Sequence, residues 1–279
     1  MKLSAVLTFR DGIKLGYPFL ESILSVLPIV DEYLINDGGS TDGSWEILEQ
    51  LKDQYPDKIH LYQMKDRPSI RWDCVSEQYN HLFTEATGDW VYQGDGDELI
   101  HENKVMGFKD ALESQPKDAL VLRHLRWEVF NWWAETGWYD YWPARTIRNG
   151  YNLYQDWKSH GGDEFMLGDE RDRWVRDPPR CIKLDNFLIW HFYLQFPYNN
   201  IPKRENDAKY IAQGAEKRVE QYLWHVENFD PDKVPEWFGK KVVDGLPALM
   251  RHHPGEMSYK IDKRLLDIEY IQNLTGLKY

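Results

Sequence analysis

The sequence predicts an α/β domain in which helices flank a mostly parallel central sheet, and three observations predict it. Short apolar runs of strand length alternate with amphipathic stretches of helix length through the first third of the chain. Prolines such as Pro28 and Pro56 close the helical stretches. Two loops rich in Asp and Gly, "NDGGSTDG" and "GDGDE", each follow a strand-like run. Alternation of this kind builds β-α-β units, whose crossovers cover both faces of a parallel sheet.

The elements follow in order. "LSAVLTF" (Leu3–Phe9) is a first strand. "GYPFLESILSVLP" sets Phe19, Leu20, Ile23, Leu24 and Leu27 at helical spacing and stops at proline. "EYLIN" is a second strand. "STDGSWEILEQLKDQYP" opens with capping residues and places Trp45, Leu48 and Leu51 on one helical face. "KIHLYQM" is a third strand, Trp72–Ala86 a helix and "DWVYQ" a fourth strand. In parallel sheets, ligands bind beyond the carboxyl ends of the strands, so the two acidic loops should face one crevice. After "ALVLRHLRW" the periodicity gives way to a segment rich in Trp, Tyr and Gly, as functional loops often are. "CIKLDNFLIWHFYL" returns to strand character, and Lys203–Phe229 has the spacing of a helix.

Composition narrows the function. With 34 Lys+Arg against 46 Asp+Glu, the 279-residue chain lacks the general basic footprint of a nucleic-acid binder. Two cysteines cannot make a disulfide scaffold, which favours a reducing, cytoplasmic setting. The N-terminus reads as a strand, not a signal peptide. No apolar run approaches the length of a membrane span. Contact with a membrane would therefore be peripheral. Oligomeric state is open.

Each motif has two readings. In "NDGGSTDGS", Asp37 either organises a turn and caps a helix or accepts hydrogen bonds from a base or ribose. In "GDGDE", Asp95, Asp97 and Glu98 fall within four residues, so their repulsion calls for solvent or a cation. After a buried strand, a hard divalent ion shared with substrate phosphates is the favoured compensation. "SHGGDEF" offers His160, Asp163 and Glu164 beside a flexible Gly-Gly, against the alternative of a polar loop without chemistry. Most of Trp127, Trp132, Trp133, Trp138, Trp142 and Trp157 are expected in the core, with a pair left to stack on sugar. "RHH" (Arg251–His253) reads as surface.

"VLTFRDG", "INDGGSTDGSWEIL" and "ATGDWVYQGDGDE", followed by "ARTIRNGYNLYQ", "SHGGDE" and "IWHFYL", resemble in order and spacing the motifs of family 2 glycosyltransferases. The resemblance covers roughly residues 1–195. It implies a GT-A fold over residues 1–200, with residues 201–279 a C-terminal helical extension packed on it. It implies an enzyme that moves a sugar from a nucleotide-sugar donor, UDP-sugar favoured, to a glycan, lipid-linked or protein acceptor with inversion, using Mn²⁺ or Mg²⁺. Carried over by position, Thr8, Arg10, Asp37, Asn80 and Asp95 line the nucleotide site. Asp95, Asp97 and His191 serve the metal. Asp163 or Glu164 is the base, and His160 positions the acceptor or the diphosphate.

Two departures stand out. Tyr79 replaces the arginine of the family's A-R-N while Asn80 is retained, and "FRDG" stands where N-E is usual. Arg71, at the head of the same helix, could supply the missing cation to the diphosphate. The alternatives are a sugar-phosphate nucleotidyltransferase, for which "TFRDGIKLG" is a poor phosphate loop, and a non-catalytic glycan-binding domain.

Overall fold

The structure, a computed structural model, describes residues 1–64, 72–130, 133–135, 142–156, 164–168, 173–194, 240–241, 245–251, 253 and 258–279. The helix expected over 203–229 lies outside them. The chain begins with β1 (Leu3–Phe9), α1 (Gly12–Leu15), α2 (Phe19–Val26), β2 (Glu32–Asp37), α3 (Ser44–Gln54) and β3 (Ile59–Gln63). It continues through α4 (Trp72–Glu85), β4 (Trp90–Gln93), β5 (Glu98–Ile100), α5 (Glu102–Val105), α6 (Phe108–Glu113) and β6 (Val121–Phe130). β7 (Trp133–Glu135), β8 (Ala144–Arg148), β9 (Leu153–Tyr154), β10 (Met166–Leu167) and β11 (Arg173–Trp174) are short. The long β12 (Cys181–Leu194), the short β13 (Lys240–Lys241) and α7 (Ile268–Thr275) complete the described elements.

The main sheet runs β13-β7-β6-β8-β4-β1-β2-β3, with β12 joined to both β6 and β5. β1 lies between β2 and β4 and parallel to both, and β3 continues the parallel half. Beyond β4 the ladders β4–β8, β8–β6 and β6–β7 are antiparallel, whereas β12 runs parallel to β6. This is the helix-flanked α/β sheet that the resemblance implies. The chain leaves β1 toward β2 and β3, then returns to β4 on the other side of β1. In α/β sheets such a reversal marks where a ligand crevice lies, here at the carboxyl ends of β1 and β4. A second, three-stranded sheet joins β9, β10 and β11.

Strands buried on both faces explain the near-continuous apolar runs. Ala5, Leu7, Tyr33 and Ile35 face one core with Phe19, Leu20, Ile23 and Leu24 of α2. Val6 and Leu34 turn to the opposite core, where they meet Tyr79, Leu82 and Phe83 of α4. The C-terminal residues Leu246, Leu249, Met250, Tyr259, Leu265 and Ile271 join the α2-side core, so this segment packs on the sheet domain's own core. Asp267 caps α7 by accepting from the Glu269 and Tyr270 amides.

Within "RHH", Arg251 is exposed as expected, His252 lies outside the described residues, and His253 departs from its surface reading. His253 is 5% exposed, and its Nε2 lies 2.9 Å from Oε1 of the fully buried Glu21, whose Oε2 accepts from the Tyr259 hydroxyl at 2.9 Å. A partner 232 residues away in sequence made this burial invisible to local pattern. No helix among the described residues is long and apolar enough to cross a membrane.

Candidate active site

After β4 the chain turns through Gly94–Asp97 into β5. The turn is closed by the Gly94 amide donating to the Val6 carbonyl (3.0 Å) and the Glu98 amide donating to the Asp95 carbonyl (3.1 Å). A Cβ at Gly94 would lie 3.2 Å from the hydroxyl of Tyr33, a fully buried side chain whose hydroxyl has no hydrogen-bond partner among the described residues. That close approach explains the first glycine of "GDGDE".

The three carboxylates meet different partners. Glu98, 1% exposed, receives Arg145 Nε on Oε2 (2.7 Å) and Arg145 Nη2 on Oε1 (2.8 Å). Arg126 Nη1 adds a contact to Oε1 at 3.1 Å. Asp95 receives the other side of the same guanidinium, with Arg145 Nη2 at 2.7 Å from Oδ2. The Tyr79 hydroxyl lies 2.9 Å from Asp95 Oδ1 and 2.8 Å from the Gly94 carbonyl, and Ser22 Oγ donates to the Asp95 carbonyl at 2.8 Å. Asp97 turns elsewhere: its Oδ1 is 3.5 Å from His191 Nε2, and its carbonyl accepts from the Phe192 amide at 2.7 Å. The antiparallel β5–β12 ladder pairs His191 with Glu98 and so brings the late histidine beside the loop.

Burial and charge set the protonation of this region. Burial and the neighbouring Asp95 charge push the Tyr79 phenol well above its ordinary value, so it stays a donor. Burial, with Asp95 again adding to it, pushes Tyr33 the same way. Burial and the Arg145 charge push His124 down to about 3. His124 is therefore a neutral imidazole at ordinary pH, with Nε2 2.9 Å from Thr146 Oγ1.

The second acidic loop is satisfied locally. Asp37, fully buried, accepts on Oδ2 from the Ser40 amide (2.9 Å), the Gly39 amide (3.2 Å) and Gln63 Nε2 (3.2 Å). Its Oδ1 accepts from the Ser40 hydroxyl. The loop is laced to the β1–α1 turn. Asp11, in the left-handed region at φ 50°, accepts from the Thr41 amide (2.8 Å), and its own amide donates to Ser40 Oγ (2.7 Å). Asp and Asn are the residues that best tolerate that backbone region. The "FRDG" departure thus has a local structural role.

The other expected residues divide into three groups. Thr8 lies at the crevice end of β1, donates to Gln78 Oε1 (2.5 Å) and accepts from Asn36 Nδ2 (2.9 Å). Arg10 is half-buried just past β1, its Nε 3.5 Å from Asp11 Oδ2. Asn80, expected at the donor site, clamps backbone: its Nδ2 donates to the Gln155 carbonyl and its Oδ1 accepts from the Gln155 amide, both at 2.9 Å. Glu164, expected as a base, is ion-paired with Arg123 and lies 3.6 Å from Arg176 Nε. Arg123 is itself fixed to the Trp142 carbonyl (2.7 Å) and to Cys181 Sγ (3.2 Å). This pairing fixes the Glu164 carboxylate against Arg123. Arg71, His160 and Asp163 lie outside the described residues.

Among the tryptophans, Trp127 packs edge-on against Trp190 in the α2-side core (centroids 5.3 Å apart). Lys183 Nζ sits 4.7 Å from the Trp142 ring. Trp133 lies on β7, and Trp132, Trp138 and Trp157 fall outside the described residues.

Sequence reasoning missed Arg145, Arg126 and the task of Tyr79. The available signal was "ARTIR", where an arginine and a threonine stand side by side inside a strand buried over its first four residues.

Among the described residues no three His, Cys, Asp or Glu converge as a complete metal-ligand set. Asp97 and His191 form a carboxylate–imidazole pair at the crevice. Such a pair suits Mg²⁺ or Mn²⁺ arriving with a diphosphate, because these ions take one or two carboxylates and fill their remaining positions with phosphate oxygens and water.

Residues 17–169 match the profile of glycosyl transferase family 2. The chain is 33% identical over 110 residues to EpsE of Bacillus subtilis (strain 168), a glycosyltransferase by name. That match covers 39% of this chain and 34% of EpsE, so the chain spans about a third of this relative's length. Among solved structures it resembles TarS (1–349) of S. aureus in complex with UDP, at 13% identity and a TM-score of 0.45, covering 99% of this chain and 90% of that one. It also resembles the mannosyltransferase PcManGT of Pyrobaculum calidifontis in complex with GDP-Man and Mn²⁺, at 13% identity and a TM-score of 0.46, covering 82% of this chain and 70% of that one.

Proposed function

We propose that this chain, which belongs to glycosyl transferase family 2, transfers a sugar from a nucleoside-diphosphate donor to an acceptor hydroxyl with inversion at the anomeric carbon. The observation that carries this reading is the Asp97–His191 pair beside the β1–β4 crevice, with both neighbouring carboxylates already matched by a guanidinium. Asp97 and His191 would hold the cation, which supplies a counter-charge to the departing diphosphate.

Arg71, ahead of α4, or Arg10, just past the carboxyl end of β1, would take the place of the arginine lost at Tyr79. Thr8 holds the floor of the nucleotide site through Gln78 and Asn36. Asp37 acts by shaping the 37–40 loop that borders the base, and the family resemblance favours uracil as that base. Asp163 is the assigned base: an in-line displacement needs a group that removes the acceptor proton, and the neighbouring Glu164 is paired elsewhere. The C-terminal segment from residue 201 onward is read as an extension of the catalytic domain, and the enzyme as cytoplasmic.

Calorimetric titration with UDP, GDP, CMP and dTDP, with and without Mn²⁺, tests the reading. Metal-dependent binding of one nucleotide, abolished in Asp97→Ala, is expected. Unchanged metal-dependent binding in Asp97→Ala would remove the metal assignment. Tyr79 in place of arginine favours a second reading, a glycan-binding domain without turnover. Metal-dependent hydrolysis of the donor sugar would exclude it.

A further inference from the structure

A guanidinium with 1% exposure is costly to bury and persists where its partners are built around it. Arg145 has such a setting: a two-pronged contact with Glu98 and a third contact with Asp95, on either side of Asp97 in the chain. Without it, three carboxylates in four residues would repel one another and compete for a single cation. With it, two of the three are drawn back to the sheet and the third is left to face His191.

We propose that Arg145 is a positioning residue for the transfer reaction, an internal counter-ion that anchors Asp95 and Glu98 and thereby sets where Asp97 stands against His191. The proposal rests on the reading of Asp97 and His191 as the metal-binding pair. Asp97 is bracketed on both sides: Glu98 is held by Arg145 and Arg126, and Asp95 by Arg145, Tyr79 and Ser22. Its own carbonyl is tied to the Phe192 amide, next to His191. A lysine at 145 would keep the charge, but one ammonium cannot reproduce a fork that meets two carboxylates at once. Tyr79 supports the same arrangement from the other side, which gives this departure from the family pattern a purpose. Its hydroxyl bridges Gly94 and Asp95, and a long arginine there would add a second cation beside Arg145.

Two measurements on the full chain test this. The first is calorimetric titration of Arg145→Lys with UDP and GDP, with and without Mn²⁺. Metal-dependent nucleotide binding should weaken by about 10- to 100-fold, the range for groups that orient a metal ligand, while metal-free nucleotide binding stays unchanged. The second is hydrogen exchange, in which the amides of Gly94, Glu98 and Phe192 should exchange faster in the variant while those of β2 and β3 do not.

A purely structural arginine would lower the melting temperature and leave the ratio of metal-dependent to metal-free affinity intact, and that result overturns the proposal. So does unchanged exchange in the loop. If the wild type binds no nucleotide with metal, the functional reading fails, while exchange alone still decides whether Arg145 holds the loop. Should Arg145→Lys not fold, Tyr79→Phe removes one hydroxyl from the same cluster. It should weaken metal-dependent binding in the same direction by a smaller factor, and no weakening at all would overturn the proposal.

Discussion

The two acidic loops at the carboxyl edge of the sheet look alike in sequence and are stabilised in opposite ways. In "NDGGSTDG", Asp37 is satisfied mainly by amides and a hydroxyl two and three residues ahead, with Gln63 of β3 adding one neutral donor. In "GDGDE", Asp95 and Glu98 depend on Arg145, 50 and 47 residues away, and Asp97 faces a histidine on β12. The difference shows that closely spaced carboxylates call for compensation without saying what provides it. A turn can provide it from its own backbone, whereas a loop buried at a strand end needs a charge brought in by the fold.

That contrast can be broken at its strongest point first. Arg145→Met should destabilise the protein by about 3–5 kcal/mol, because it leaves buried carboxylates without a partner. Urea denaturation measures the loss, and a change below about 1 kcal/mol would mean that water or Arg126 already compensates the cluster.

Acid sharpens the comparison next. His124 lies in the field of Arg145 and takes up a proton only near pH 3, whereas the unfolded chain takes one up below its ordinary value of 6.5. Stability contributed by the neutral ring is therefore complete above 6.5 and is lost as pH falls toward 3, by about 1.4 kcal/mol per pH unit. Denaturation of wild type and His124→Gln across this window should show the steeper slope in the wild type. Parallel slopes would place the titration in other groups.

The local loop should respond less. Asp37→Ala is expected to cost about 1 kcal/mol, since water can reach the half-exposed Gly39 and Ser40 amides in its place. A loss as large as that of Arg145→Met would mean that the two loops are held with similar strength after all. The smallest effect is expected at Glu164, where Glu164→Gln should leave turnover unchanged and cost less than about 1 kcal/mol of stability. Abolished turnover with native stability would return the base to Glu164.

Much of the fold was legible because it is written in local periodicity. β1 to β4 and α2 to α4 fall on the predicted stretches, since a parallel strand buried on both faces shows as an apolar run and its crossover helix as a three- and four-residue repeat. Part of the site was legible for the same reason, because Asp37 and "GDGDE" are found by their place after a strand. His253 was misread, and the partners of Glu164 and Asn80 went unforeseen, because Glu21, Arg123 and the Gln155 backbone are 232, 41 and 75 residues away.

The sequence by itself determined the alternation of strand and helix, the edge at which the acidic loops emerge and membership of a transferase family. Hydrophobic period and turn chemistry act over a few residues, and the family motifs keep their order along the chain. Only the tertiary structure decided which carboxylate meets a guanidinium and which meets a histidine. That choice depends on β8 lying against β4 and β12 lying against β5, pairings between segments far apart in the chain that no local pattern encodes.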